Sequence, residues 1–174
     1  RFFAVMYPGW FTAIEEGWQD QAKQLAERQR VAENKLLAEF SARSRQPLHG
    51  LTVVRNARVF DSDKATVGLP SDIYLLRGRI TAVMPAGADP RKADAEIDAA
   101  GRIALPGLFD MHSHADRWSG ALHLAAGVTT VRDMGSDNGT LQQMLDESAA
   151  GTLLLPQSVP CGFLEGASPL ALNQ

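Results

Sequence analysis

Between Thr12 and about Arg45 the apolar positions Ile14, Trp18, Ala22, Leu25, Ala32, Leu36 and Phe40 recur at steps of three, four or seven, with no proline in the run. That period belongs to an amphipathic helix with one apolar stripe, and the intervening Gln, Glu, Lys and Ala residues favour helix. The spacing predicts a helix that docks on its own or a partner domain. Mixed charges on the polar face disfavour a helix lying on a membrane. After "RQPLHG" the texture changes. "LTVVRNARVF", "DIYLLRGRITAVM" and "AEIDAAGRIAL" are rich in Val, Ile, Leu and Tyr, and Arg77-Gly78 and Ala100-Gly101 sit where the chain should reverse. Four or five short strands over roughly 55 residues predict a small sheet or half of a β-sandwich.

From Leu105 the pattern switches to strand followed by helix. "GLFDMHSH" reads as a strand, "RWSGALHLAAG" as a short helix closed by Gly127, and "VTTVRDM" as a second strand. "TLQQMLDESAAG" reads as a second helix closed by Gly151, and "SVPCGF" as a third strand. Alternating β and α units with short connections predict a parallel sheet or barrel with right-handed crossovers.

Charge and cysteine usage narrow the function classes. A formal net charge of -3 over 174 residues, with no long run of Lys and Arg, offers no electrostatic footprint for nucleic acid or an anionic membrane. A small-molecule or peptide substrate is the expectation. The single cysteine, Cys161, excludes an internal disulfide framework and a Cys-rich zinc site, and leaves cytoplasm and periplasm equally open. "RFFAVMYPGWFTAI" is too short for a membrane span, is broken by Pro8 and Gly9, and lacks the cleavage pattern of a signal peptide.

The chemistry concentrates in "LPGLFDMHSHAD". Side chains alternate along a strand, so Leu108, Asp110, His112 and His114 share one face while Phe109, Met111 and Ser113 share the other. With a rise of roughly 3.3 Å per residue the two histidine backbones lie about 7 Å apart. From that separation two imidazoles can reach one cation at about 2.0–2.1 Å. The apolar residues before them should bury the base of the strand, and "HADR" should mark a solvent-facing mouth, where the functional groups of α/β barrels gather. On spacing alone, histidines that are simply exposed or hydrogen-bonded in a core remain the alternative.

"IDAAGRIALPGLFDMHSH" followed by "AAGVTTVRDMG" resembles the amidohydrolase superfamily of metal-dependent hydrolases, in the branch with imidazolonepropionase-like enzymes and prolidase-like dipeptidases. The matched region runs from about Leu51 to Pro169. The resemblance implies an α/β fold in which a β-sandwich segment precedes the first strands and helices of a TIM-like (β/α)8 barrel, here truncated, with the amphipathic helix upstream. The expected division is residues 1–48 helical, 49–105 sandwich segment and 106–174 the start of the hydrolase barrel. It implies that His112 and His114 ligate a divalent metal, Zn2+ foremost, with one or two ions in the complete protein. It places Val128 to Met134 on the second barrel strand and "CGFLEGASPL" on the third strand and its loop.

The family's further ligands and its catalytic acid or base stand on later strands, for which this chain has no positions. The expectation is therefore an N-terminal portion of an enzyme that hydrolyses an amide or other C–N bond through metal-activated water, inactive by itself. Two alternatives stay open: a catalytically silent relative serving as scaffold or binding protein, and a structural histidine pair in an unrelated α/β domain. An open piece of barrel should also leave apolar edges uncovered and so favour a homo-oligomer or other association.

Other residues are read more modestly. Asp110 is expected to accept hydrogen bonds near the ligands. Arg132 and Asp133, on opposite faces, should make separate polar contacts at the barrel rim, with substrate contact the lesser option. His123 reads as packing or surface, His49 as solvated linker, Cys161 as a small buried side chain, and Glu165 as lining the mouth of the site or lying in solvent.

Overall fold

The structure, a computed structural model, describes residues 3–7 and 11–161. The described chain is mixed α/β with sheets of two, three and five strands. It divides into two compact units, one of Gln46–Leu108 and one that joins the residues up to Arg45 to those from Phe109 onward.

The first of these units is a sheet. β3 (Leu51–Asp61), β4 (Thr66–Leu76) and β5 (Arg79–Pro85) are antiparallel neighbours, while β6 (Ala95–Asp98) and β7 (Ile103–Ala104) both run parallel to β3. Arg77 and Gly78 join β4 to β5 with φ of 51° and 72°, the left-handed pair that a two-residue hairpin turn requires, so the expected reversal is observed. Val53, Ala57, Ile73 and Tyr74 are buried in this sheet, and Val53 stands opposite Tyr74.

The other unit corrects the reading of the amino-terminal helix. β1 (Ala4–Tyr7) pairs antiparallel with β2 (Phe11–Ile14), so Thr12 to Ile14 are strand. The helix, α1 (Ala22–Ser44), begins only after a 3-10 turn over Gln19–Gln21. Pairing with a neighbouring segment overrides helix propensity here. The buried face of α1 is also turned from the expected stripe. Leu37 and Ser41 are buried, whereas Leu36 and Phe40 are 48% and 41% exposed.

Leu37 inserts beside Leu141, Met144 and Leu153, the core of this unit. The Ser41 hydroxyl donates to the Gly151 carbonyl at 2.8 Å, which is why a serine can be buried there. Gly151 closes the helix it follows at φ 81°, and the Arg45 guanidinium occupies the space a side chain at 151 would need.

The β–α alternation is as the pattern predicts. β8 (Leu108–Ser113), α2 (Ser119–Ala125), β9 (Val128–Asp133), α3 (Asn138–Ala150) and β10 (Gln157–Pro160) follow in order, with β9 in the middle of the sheet and β10 parallel to it. The expected burial of the base of β8 is not seen. β8 is an edge strand of the described sheet, and Leu108, Phe109 and Met111 are 57%, 67% and 54% exposed. Among the described residues no helix is long and apolar enough to cross a membrane.

Candidate metal centre

His112, next to last in β8, and His114, just past its end, stand side by side. Their ring centroids are 5.6 Å apart, the ring planes are inclined at 67°, and both side chains are exposed. His114 Nδ1 lies 3.2 Å from the Gly135 carbonyl oxygen. A carbonyl can only accept, so in the neutral ring this contact puts the proton on Nδ1 and leaves the Nε2 lone pair free.

The loop after β9 holds the chain on both sides of His114. Met134 N donates to the Ser113 carbonyl at 2.8 Å. Asp133 has no exposed surface, and its carboxylate takes three donors. Oδ1 accepts the Gly135 N–H at 2.9 Å, while Oδ2 accepts the Ala115 N–H at 2.8 Å and the Ser136 hydroxyl at 2.6 Å. The Ala115 N–H is shared with Ser136 Oγ at 3.0 Å. Asp133 lies at the strand end, as its place in the pattern predicts, and its partners include the backbone beside His114, which no local pattern announces.

Asp110 does accept near the pair. Its Oδ1 takes the His112 N–H at 3.0 Å, and its Oδ2 lies 3.4 Å from His123 Nε2 on α2. The pairing of His123 with Asp110 was not foreseeable from spacing, because it depends on how α2 returns along β8. Arg132 Nε donates to the Met111 carbonyl at 2.8 Å, a polar contact separate from those of Asp133.

Arg117 departs from the expected solvent-facing mouth, since its guanidinium is largely buried against the Glu147 carboxylate of α3. His49 is exposed and Cys161 is partly buried, its N–H donating to the Asp133 carbonyl. Glu165 and the rest of "CGFLEGASPL" beyond Cys161 lie outside the described residues. A small cavity is lined by Ser113, Ser119, His123, Met144, Leu155 and Ser158.

The chain is 31% identical to adenine deaminase 2 of Shouchella clausii (strain KSM-K16) over 136 residues, 68% of this chain and 23% of that protein. It is 41% identical to the dihydroorotase of Solibacter usitatus (strain Ellin6076) over 63 residues, 36% of this chain and 14% of that protein. The crystal structure of a Bifidobacterium longum protein described as a prolidase matches its fold with a TM-score of 0.60 and 22% identity, covering 74% of this chain and 35% of that one. These relatives are of the amidohydrolase superfamily, which the chain resembles over the matched residues. No family model matches it. It spans less than a quarter of the length of the curated relatives it matches.

Amidohydrolases are typically dependent on a divalent metal, so the histidine pair can be tested for its fit to one. An ion about 2.0–2.1 Å from a ring nitrogen lies roughly 3 Å from that ring's centroid, which puts two imidazoles on one tetrahedral ion about 5 Å apart, centroid to centroid. The observed 5.6 Å is within a small side-chain rotation of that value. The Nδ1 contact of His114 with a carbonyl is also the kind of partner that fixes a ligating ring's tautomer and direction. The donor set therefore fits a divalent ion, as two ligands. Among the described residues no third His, Cys, Asp or Glu gathers with them.

Proposed function

We propose that this chain is the front part of a metal-dependent amidohydrolase that hydrolyses an amide or other C–N bond, and that His112 and His114 are two of its metal ligands. On this reading β8 to β10 with α2 and α3 are the opening of a (β/α)8 barrel, and the Gln46–Leu108 sheet belongs to the β-sandwich that accompanies it. A small-molecule or peptide substrate is the matching partner. The observation that carries the reading is the juxtaposition of two exposed imidazoles at one strand end, one of them with its outer nitrogen engaged by Gly135.

When bound, a divalent ion such as Zn2+ supplies a water nucleophile near neutral pH and an electrophilic pull on the carbon under attack. The chain's own part is to present two neutral nitrogen donors at fixed spacing. The His112 and His114 rings are carried on one strand, Asp110 anchors the backbone at His112, and the 133–136 loop anchors the backbone around His114. The remaining ligands and the acid that protonates the leaving nitrogen are assigned to later strands. Metal analysis after equilibration with Zn2+ tests the reading: the wild-type chain should retain zinc and the His112→Ala, His114→Ala double variant should not. Equal zinc in both would remove the ligand assignment.

A further inference from the structure

The Asp133 carboxyl group is buried, and among the described residues its hydrogen-bond partners include no cation. A buried carboxylate is costly unless its oxygens are satisfied, and three donors satisfy this one: Gly135 N–H, Ala115 N–H and Ser136 O–H. Two of the three belong to the loop that carries the Gly135 carbonyl, and the other belongs to the residue after His114. The carboxylate thereby ties the acceptor loop to the backbone that carries the ring, and Ser136 Oγ doubles the tie by meeting both Asp133 and Ala115.

We infer that Asp133, with Ser136, is a positioning residue: it holds the Gly135 carbonyl at His114 Nδ1, so that the ring keeps its proton there and turns a bare Nε2 towards the ion. This rests on the reading of His114 as a ligand, but the ring's tautomer is a property of the protein without metal and is measured separately. If Asp133 served stability alone, replacing it would lower the melting temperature and leave the tautomer of the folded protein unchanged.

The test uses the full chain labelled with 15N-histidine. In the metal-free wild type at pH 8, His114 should show a protonated-type Nδ1 signal and an unprotonated-type Nε2 signal. Asp133→Asn places an amide N–H2 against N–H donors on at least one side, and should shift His114 to a mixture of tautomers and weaken Zn2+ binding by about 10- to 100-fold. Ser136→Ala, which keeps the buried carboxylate, should do the same more mildly, and Ser136→Thr should restore the wild-type signals. Should Asp133→Asn fail to fold, the two Ser136 variants carry the test. A folded Asp133→Asn or Ser136→Ala variant with unchanged His114 tautomer and unchanged Zn2+ affinity overturns the inference. Zinc bound equally by the His112→Ala, His114→Ala variant would instead overturn the ligand reading, while the metal-free tautomer would still decide the role of Asp133.

Discussion

Arg55 and Asp72 face each other on adjoining strands, with Arg55 Nη1 3.0 Å from Asp72 Oδ2. Asp72 is 2% exposed and also accepts the N–H groups of Asn56 and Gly87 at 3.0 Å each, while Arg55 reaches on to Glu96 at 2.7 Å. Removing the carboxylate leaves two backbone donors and part of a guanidinium without partners in a buried setting. Asp72→Ala should therefore cost about 3 kcal/mol of stability. Urea unfolding measures it; a loss below about 1 kcal/mol would mean that the network relaxes onto solvent.

The same region sets an acid limit. Burial pushes the Asp72 carboxyl up, but the Asn56 and Gly87 N–H bonds and Arg55 outweigh it and hold the group below its ordinary value. The Arg91 side chain and its backbone N–H lower Asp89 from 3.8 to about 2. Both carboxyls bind protons less readily folded than unfolded, so their contribution is fully present above 3.8. As the pH falls below that value the unfolded chain takes up protons first and stability drops, until Asp89 protonates in the folded state near 2. Melting temperature should fall through this window, and Asp89→Asn should flatten the fall. Because Arg91 is largely exposed, high salt should flatten it too.

Asp137 caps α3, its Oδ1 accepting the Thr140 N–H at 2.8 Å and the Thr140 hydroxyl at 2.7 Å. Asp137→Ala should destabilise by about 1 kcal/mol, and Asp137→Ser should recover most of that. Thermal melts of the two variants provide the comparison.

Gly120 in α2 is buried against Leu154 and Leu155, in the segment that leads into β10. A Cβ there would lie 2.4 Å from the Leu154 carbonyl oxygen and 2.4 Å from Leu155 Cδ2, and the carbonyl cannot swing aside as a side chain can. Gly120→Ala, ordinarily helpful in a helix, should here cost about 1–3 kcal/mol. A stabilised variant would show that α2 shifts freely on the sheet.

Much of this arrangement was legible because it is local. The β–α alternation from Leu108 onward, the Arg77-Gly78 hairpin and the closing role of Gly151 each follow from period or from one residue's backbone freedom. The shared face of His112 and His114 follows from the two-residue repeat of a strand. The errors arose where distant partners decide. Thr12 to Ile14 form a strand because Ala4–Tyr7 pairs with them, and Ser41 is buried in place of Phe40 because the Gly151 carbonyl satisfies its hydroxyl. Nor does the sequence spacing of Asp133 and Ala115, 18 residues apart, announce that one accepts from the other.

The most direct measurement of the central claim is a Zn2+ titration of the metal-free chain followed through its 15N-histidine signals. The ring nitrogens of His112 and His114 should shift together to a common break at a defined stoichiometry, with His123 and His49 unmoved. Signals of His112 and His114 that stay in place, or that move independently of one another as Zn2+ is added, would contradict a shared metal site at the end of β8.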